Sequence, residues 1–166
     1  LALNPDVIIL AEMWNSGFFP EKFTDQDDYK EEELQKALSD FAECHNVNLV
    51  AGSITVRDGE HRANRSFIYN REGELLGTYD KAHLFPVGEE KNFFKPGDHN
   101  LFFTLDEVDC GIVTCFELRM PNGCASPYPG ERRFSSFPQH GAFPAYLISI
   151  FSPRPEPLRI NVSSWR

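Results

Sequence analysis

Apolar and polar positions follow two rhythms along this chain. After Asp6, Val7-Ile8-Ile9-Leu10-Ala11 is a continuous apolar run within Pro5–Ala11, the pattern of a strand covered on both faces. From Lys30 to His45, Leu34, Ala37, Leu38 and Phe41 fall at helical spacing, with Glu31, Glu32 and Glu33 at the positive end of the dipole. This predicts a helix that covers a sheet, its Glu run a solvated face. Asn48 to Val56 has an apolar start and an alternating finish, Asp58-Gly59 is a hairpin signal, and Arg65 to Asn70 returns as the partner strand. Glu72-Gly73 makes the next turn, into a strand from Leu75 to Asp80. Residues 48–81 therefore predict a meander that builds one sheet edge to edge. A loop is expected from Pro86 to Pro96-Gly97-Asp98, then a strand pair, Phe102–Leu105 and Val108–Cys115, around Asp106-Glu107.

Composition narrows the class. At 166 residues, 41% hydrophobic and with 15 Phe, the chain has one domain's length and enough apolar material for a core. A net charge of −9 argues against nucleic acid or an anionic membrane as partner. No apolar run approaches the ~20 residues of a membrane span, and Leu1-Ala2-Leu3-Asn4-Pro5 lacks the pattern of a signal peptide. Cys44, Cys110, Cys115 and Cys124 have neither metal-ligand nor disulfide-framework spacing, which predicts a reducing, cytoplasmic setting. Charge breaks sharply near Pro121: residues 1–120 hold 23 acidic and 11 basic residues, residues 121–166 only 2 and 5. Eight of the 12 prolines also fall after residue 120, a density that excludes ordinary helices and central strands.

The candidate chemistry sits at strand ends. Gly111-Ile112-Val113-Thr114-Cys115-Phe116-Glu117-Leu118-Arg119 reads as a buried strand that delivers Cys115 to its carboxyl end, where α/β sheets place their chemistry. A lone Cys usually just packs, as Cys44 and Cys110 are expected to. A lone Glu or Lys at a strand end is usually a surface charge, and Lys81 beside Asp80 could be only a surface ion pair. Three such ends in one chain, however, carry Glu12, Lys81 and Cys115, in that order. Their contexts, Leu10-Ala11-Glu12-Met13-Trp14-Asn15, Tyr79-Asp80-Lys81-Ala82-His83-Leu84-Phe85 and Cys115-Phe116-Glu117-Leu118-Arg119-Met120-Pro121, resemble the signatures of the nitrilase, or carbon–nitrogen hydrolase, superfamily. The resemblance covers residues 1 to 121, and the Glu12-Met13-Trp14-Asn15 context points toward its omega-amidase-like branch. The family often has Asp where this chain has Glu117, and an aromatic residue where it has Met120.

The resemblance implies an α/β fold, a four-layer α-β-β-α sandwich incomplete at both ends. Residues 1–121 would be a partial carbon–nitrogen hydrolase domain without its first strand and helix. Residues 122–166 would be an anomalous Pro-rich tail. A frame slip near Asn122 accounts for that tail: read from the last base of each codon, Glu131 to Pro138 can spell Gly-Ala-Glu-Ile-Leu-Phe-Val-Pro, and Arg154 to Asn161 can spell Ala-Arg-Ala-Ile-Glu-Asn-Gln. Both resemble what relatives carry there. A genuine disordered tail is the alternative.

The resemblance further implies Cys115 as nucleophile, Glu12 as general base and acid, and Lys81 with the Phe116 backbone N–H as oxyanion stabilisers. Glu90, or its neighbour Glu89, would orient Lys81. His83 would be structural and Arg119 would pair with a buried carboxylate behind the nucleophile. The expected reaction is hydrolysis of a small-molecule amide or nitrile without metal or cofactor: ammonia release from a small carboxamide through a thioester, or nitrilase or N-carbamoyl hydrolase activity. Self-association is common in the family, which makes a homo-oligomer a candidate assembly. A depressed thiol pKa at Cys115 is expected if the site is formed. The contrasting reading is a non-catalytic fragment.

Overall fold

The computed structural model describes residues 4–16, 31–58, 60–86, 90–119, 133–136, 146–150 and 159–162. A short parallel strand, β1 (Val7–Ile9), is followed by helix α1 (Glu31–His45) and the meander β2 (Asn48–Asp58), β3 (His61–Tyr69) and β4 (Leu75–Asp80). A one-turn helix, α2 (Glu90–Phe93), precedes the hairpin β5 (Phe102–Leu105) and β6 (Val108–Thr114), and a 3-10 helix runs from Cys115 to Arg119. Three further strands follow: β7 (Arg133–Ser136), β8 (Tyr146–Ile150) and β9 (Ile160–Val162). They form two sheets, in the orders β4-β3-β2-β1-β9 and β5-β6-β8-β7.

Two apolar clusters account for the layering. Val7, Ile9, Val50, Ile68 and Tyr79 of the first sheet face Phe103, Leu105, Val108, Cys110 and Ile112 of the second, all buried. The opposite face of the first sheet, with Ile8, Leu49, Ile54 and Phe67, packs on Leu38 and Ala42 of α1. Adjacent residues of β1 thus serve different clusters, as a strand between two layers requires. Helix, sheet and sheet are three layers of the expected sandwich; no helix against the far face of the second sheet lies among the described residues. Nor is any helix among them long and apolar enough to cross a membrane.

The meander and α1 match the pattern of the sequence, with differences at the margins. The β2–β3 ladder runs to the pair Asp58↔His61, so β3 starts four residues before the expected Arg65. The expected loop after Pro86 contains α2, too short to leave a periodic signal. The strand expected to reach Cys115 stops at Thr114, and Cys115 opens the 3-10 helix. After residue 121 the expectation of no central strand is corrected: β8 lies between β6 and β7. It occupies a proline-free segment between Pro144 and Pro153, so no ladder hydrogen bond is lost to proline.

An ion cluster ties the two sheets together away from the strand ends that carry Glu12 and Lys81. Arg71, in the β3–β4 turn, donates to Asp106 of the β5–β6 turn at 2.6 Å and to Asp6, before β1, at 3.1 Å. Arg159 also pairs with Asp6, at 2.9 Å. The bond from Arg159, helped by Arg71, holds the Asp6 carboxyl well below the usual carboxylate range. Arg71 does the same, first in order of effect, for Asp106. Depressed folded-state values mean that the stabilisation is complete above the unfolded value of ~3.9 and is lost as pH falls below it. Arg71→Ala is therefore expected to cost about 2 kcal/mol at neutral pH. Urea unfolding should show the gap to wild type narrowing progressively as pH falls below about 5.

Candidate active site

β1 runs parallel to β2, and β4, two antiparallel steps from β2, runs the same way. Their carboxyl ends therefore share one edge of the first sheet, and Glu12 and Lys81 emerge there. The route to Glu12 depends on Gly52. The β2–β3 register shifts between Ala51 and Ser53, and a Cβ at Gly52 would lie 2.1 Å from the Leu10 carbonyl oxygen. Only glycine lets the chain beyond β1 pass so close. Beyond it, Met13 adopts a positive φ of 50° and its N–H donates to Ser53 Oγ at 3.1 Å. Asn15 Oδ1 accepts from Thr55 N at 3.1 Å, so the segment after Glu12 is pinned to β2 on both sides.

Lys81 leaves β4 with its N–H donating to the Asn64 carbonyl at 3.0 Å. Its side chain and that of Glu12 are fully buried. Nζ donates to Glu12 Oε1 at 3.0 Å and to both Glu90 oxygens at 2.9 and 3.1 Å. Glu90 is held from the other side by the Phe85 N–H. Asn64, on β3, donates from Nδ2 to Glu12 Oε1 at 2.9 Å and to Glu90 Oε1 at 3.2 Å. The surface reading of Lys81 is excluded: Asp80 pairs instead with Arg65, at 2.7 Å.

Cys115 reaches this cluster from the second sheet. It sits at φ 53°, a left-handed conformation uncommon for a non-glycine residue and a form of strain that collects at functional sites. The buried carboxylate of Glu117 helps hold it there. Glu117 accepts from Thr114 N at 2.8 Å, from Tyr79 OH at 2.8 Å, and from the N–H groups of Ala82 and His83 at 3.0 and 2.9 Å. One carboxylate thus joins the turn after Lys81 to the turn that presents Cys115. Glu117→Gln leaves one acceptor oxygen for this set of donors and is expected to cost about 2 kcal/mol. Urea unfolding would measure it, and Glu117→Asp should recover part of the loss.

One cation between two carboxylates leaves the cluster short of positive charge. Burial raises the Glu12 carboxyl above its ordinary value despite Lys81 and Asn64. Burial opposes the charge on Lys81, but Glu12 and Glu90 outweigh it and its pKa rises. The Cys115 thiol is pushed up to about 11, by burial first and then by Glu12, against the lowering effect of Lys81. This corrects the expectation of a depressed thiol pKa. The resting site holds a neutral thiol, because burial and two neighbouring acids outweigh one ammonium.

The structure thus brings Glu12, Lys81, Glu90 and Cys115 together. Phe116 flanks them, its ring edge-on to Phe85 at 5.6 Å. His83 is half-exposed, with Nδ1 3.3 Å from Glu117 Oε1, consistent with a structural role. Glu89, Cys124 and the Arg119 side chain lie outside the described residues. Asn64 and Glu117 were not among the expected site residues: the first sits in a strand of mixed polarity, the second read only as a departure from the family's Asp. No group of three or more His, Cys, Asp or Glu among the described residues is placed to hold a metal. A cavity of about 520 Å³ opens beside Phe116, lined chiefly by Leu84, Pro86, Phe94 and Pro96, with His83 and Lys91 as its polar members.

Comparison with known proteins gives the family. The carbon-nitrogen hydrolase family model matches residues 4–129. The 2-oxoglutaramate amidase of Bacillus subtilis is 32% identical over 71% of this chain and 46% of its own length. Human omega-amidase NIT2 is 27% identical over 81% of this chain and 54% of its own. The chain spans about half the length of the curated relatives it matches. Among solved structures, XC1258 of Xanthomonas campestris, a CN-hydrolase superfamily protein with an arsenic adduct in its active site, superposes with a TM-score of 0.64 at 27% identity. That match covers 72% of this chain and 44% of that one. With its model matched over most of the sequence and its fold shared, the chain belongs to the carbon–nitrogen hydrolase family.

Proposed function

We propose that the chain carries a cysteine-dependent amidase site that releases ammonia from a small carboxamide through a thioester. The observation that carries this reading is the convergence of Glu12, Lys81 and Cys115 from two sheets onto one buried cluster. In the reaction, Glu12 takes the thiol proton as sulfur bonds to the amide carbon. The oxyanion that forms is stabilised by Lys81 and by the Phe116 N–H, in the first turn of the 3-10 helix where no intrahelical acceptor exists. Glu12 passes its proton to the nitrogen, the C–N bond breaks, and ammonia leaves. Water then loses a proton to Glu12 as it attacks the thioester; the acid departs and the proton returns to sulfur.

Similarity to 2-oxoglutaramate amidase and omega-amidase favours a linear amide with a carboxylate at its far end. Lys91, which with His83 forms the polar lining of the cavity beside Phe116, supplies a matching cation. The test is ammonia release from 2-oxoglutaramate, together with an acyl adduct on the Cys115 peptide after acid quenching. Both are expected. Neither appearing would overturn the reading in favour of a non-catalytic fragment. A nitrile or N-carbamoyl substrate turning over in its place would keep the site and change the substrate class.

A further inference from the structure

We propose that Asn64 is a positioning residue that decides which oxygen of Glu12 takes the Cys115 proton, by occupying Oε1 and leaving Oε2 open. The inference rests on the reading of Glu12 as the proton acceptor. Glu12 Oε1 accepts two hydrogen bonds, from Asn64 Nδ2 at 2.9 Å and from Lys81 Nζ at 3.0 Å. Glu12 Oε2 is buried and, among the described residues, accepts none. A buried carboxylate oxygen left without a donor costs stability and calls for an explanation. The neighbouring thiol supplies one, because a saturated oxygen is a poor proton acceptor and an open one is ready.

The chemistry of an amide suits this place. Asn64 is 1% exposed and faces two carboxylates with its NH₂ group; turning it over would set Oδ1 against two anionic oxygens. Its Nδ2 bridges Glu12 and Glu90 without adding charge. A lysine or arginine there would hold Glu12 as a carboxylate and weaken it as a base, and an aspartate would repel both neighbours. Its carbonyl also receives the Lys81 N–H, so one residue sets the height of the cation and the orientation of both acids. Among the described residues, the charged and titratable groups facing Glu12 are Lys81 from the end of β4, Glu90 from α2 and Cys115 from the 3-10 helix. Asn64 is the uncharged member from β3.

The experiment is the pH profile of Cys115 alkylation by iodoacetamide, read on the Cys115 peptide by mass spectrometry. Exposed Cys44 on α1 serves as an internal reference. In wild type the acid limb at Cys115 should follow ionisation of Glu12. In Asn64→Ala it should move to higher pH, because Glu12 has lost a donor to its charged form, while Cys44 is unchanged. With 2-oxoglutaramate, kcat should fall about 10- to 100-fold with KM held within about twofold, as for a group that never touches substrate. Asn64→Asp, of the same shape, carries the test if the alanine variant does not fold, and should move the limb in the same direction. A folded variant whose limb and kcat match wild type would overturn the inference. A wild-type chain that releases no ammonia but whose limb still moves in the variant would sink the amidase reading alone.

Discussion

Cys115→Ala is expected to abolish ammonia release while leaving the fold almost untouched. Removing a catalytic nucleophile typically costs on the order of 10⁶-fold in kcat, enough to bring turnover to the assay's floor. Stability should change little, because alanine keeps the positive φ that Cys115 already accepts and Glu117 still anchors the turn through Thr114 N. The contrast with Cys110 is informative. Cys110 lies between the sheets, and burial pushes its thiol up to about 12; Cys110→Ala should cost stability and spare turnover. Cys115→Ser tests the proton acceptor as well as the nucleophile, since a hydroxyl is harder to deprotonate than a thiol. The wild-type rate should fall as pH drops through the Glu12 value, which burial has raised. Lys81, its pKa also raised, stays charged throughout and adds no limb near neutrality. Turnover surviving in Cys115→Ala would remove the thioester from the mechanism.

Much of this site could be read from the sequence because its principal parts are local. Glu12, Lys81 and Cys115 each follow a strand whose apolar run announces it, and each carries flanking residues of recognisable type. What sequence could not supply is the set of bonds between elements far apart in the chain. Asn64 is one polar residue in the largely polar stretch Arg62-Ala63-Asn64-Arg65-Ser66, and nothing in that stretch says that it bridges two acids 52 and 26 residues away. Glu117 has the same difficulty, since its donors come from β4, the turn after it and β6. Gly52 interrupts an apolar strand without a turn signal; its reason is the carbonyl of Leu10, visible only once the strands are paired. The expectation of an acidic thiol fails because sequence names the cation and the acids around it but not the burial of the thiol, which outweighs the cation.

That charge balance sets the largest effect on stability. Lys81→Met should eliminate turnover and cost about 3–5 kcal/mol at neutral pH, the usual penalty for breaking a buried ion pair from one side. Methionine fills most of the volume, so packing is not what is lost. The cost arises because Glu12 and Glu90, with side chains 0% and 5% exposed, would face each other with only Asn64 between them. They can escape by taking up a proton, and the sign of the pH dependence follows. Removing the cation raises the acid pair's affinity for protons in the folded variant, so protonation stabilises the variant more than the wild type. Urea unfolding at pH 7.5 and pH 5 should therefore find the variant closer to wild type at the lower pH. Adding Glu90→Gln to Lys81→Met should recover stability without recovering activity, because it removes the repulsion but leaves no cation for the oxyanion. A cost independent of pH and of Glu90 would instead mean that Lys81 matters by its packing, and the charge argument would fail.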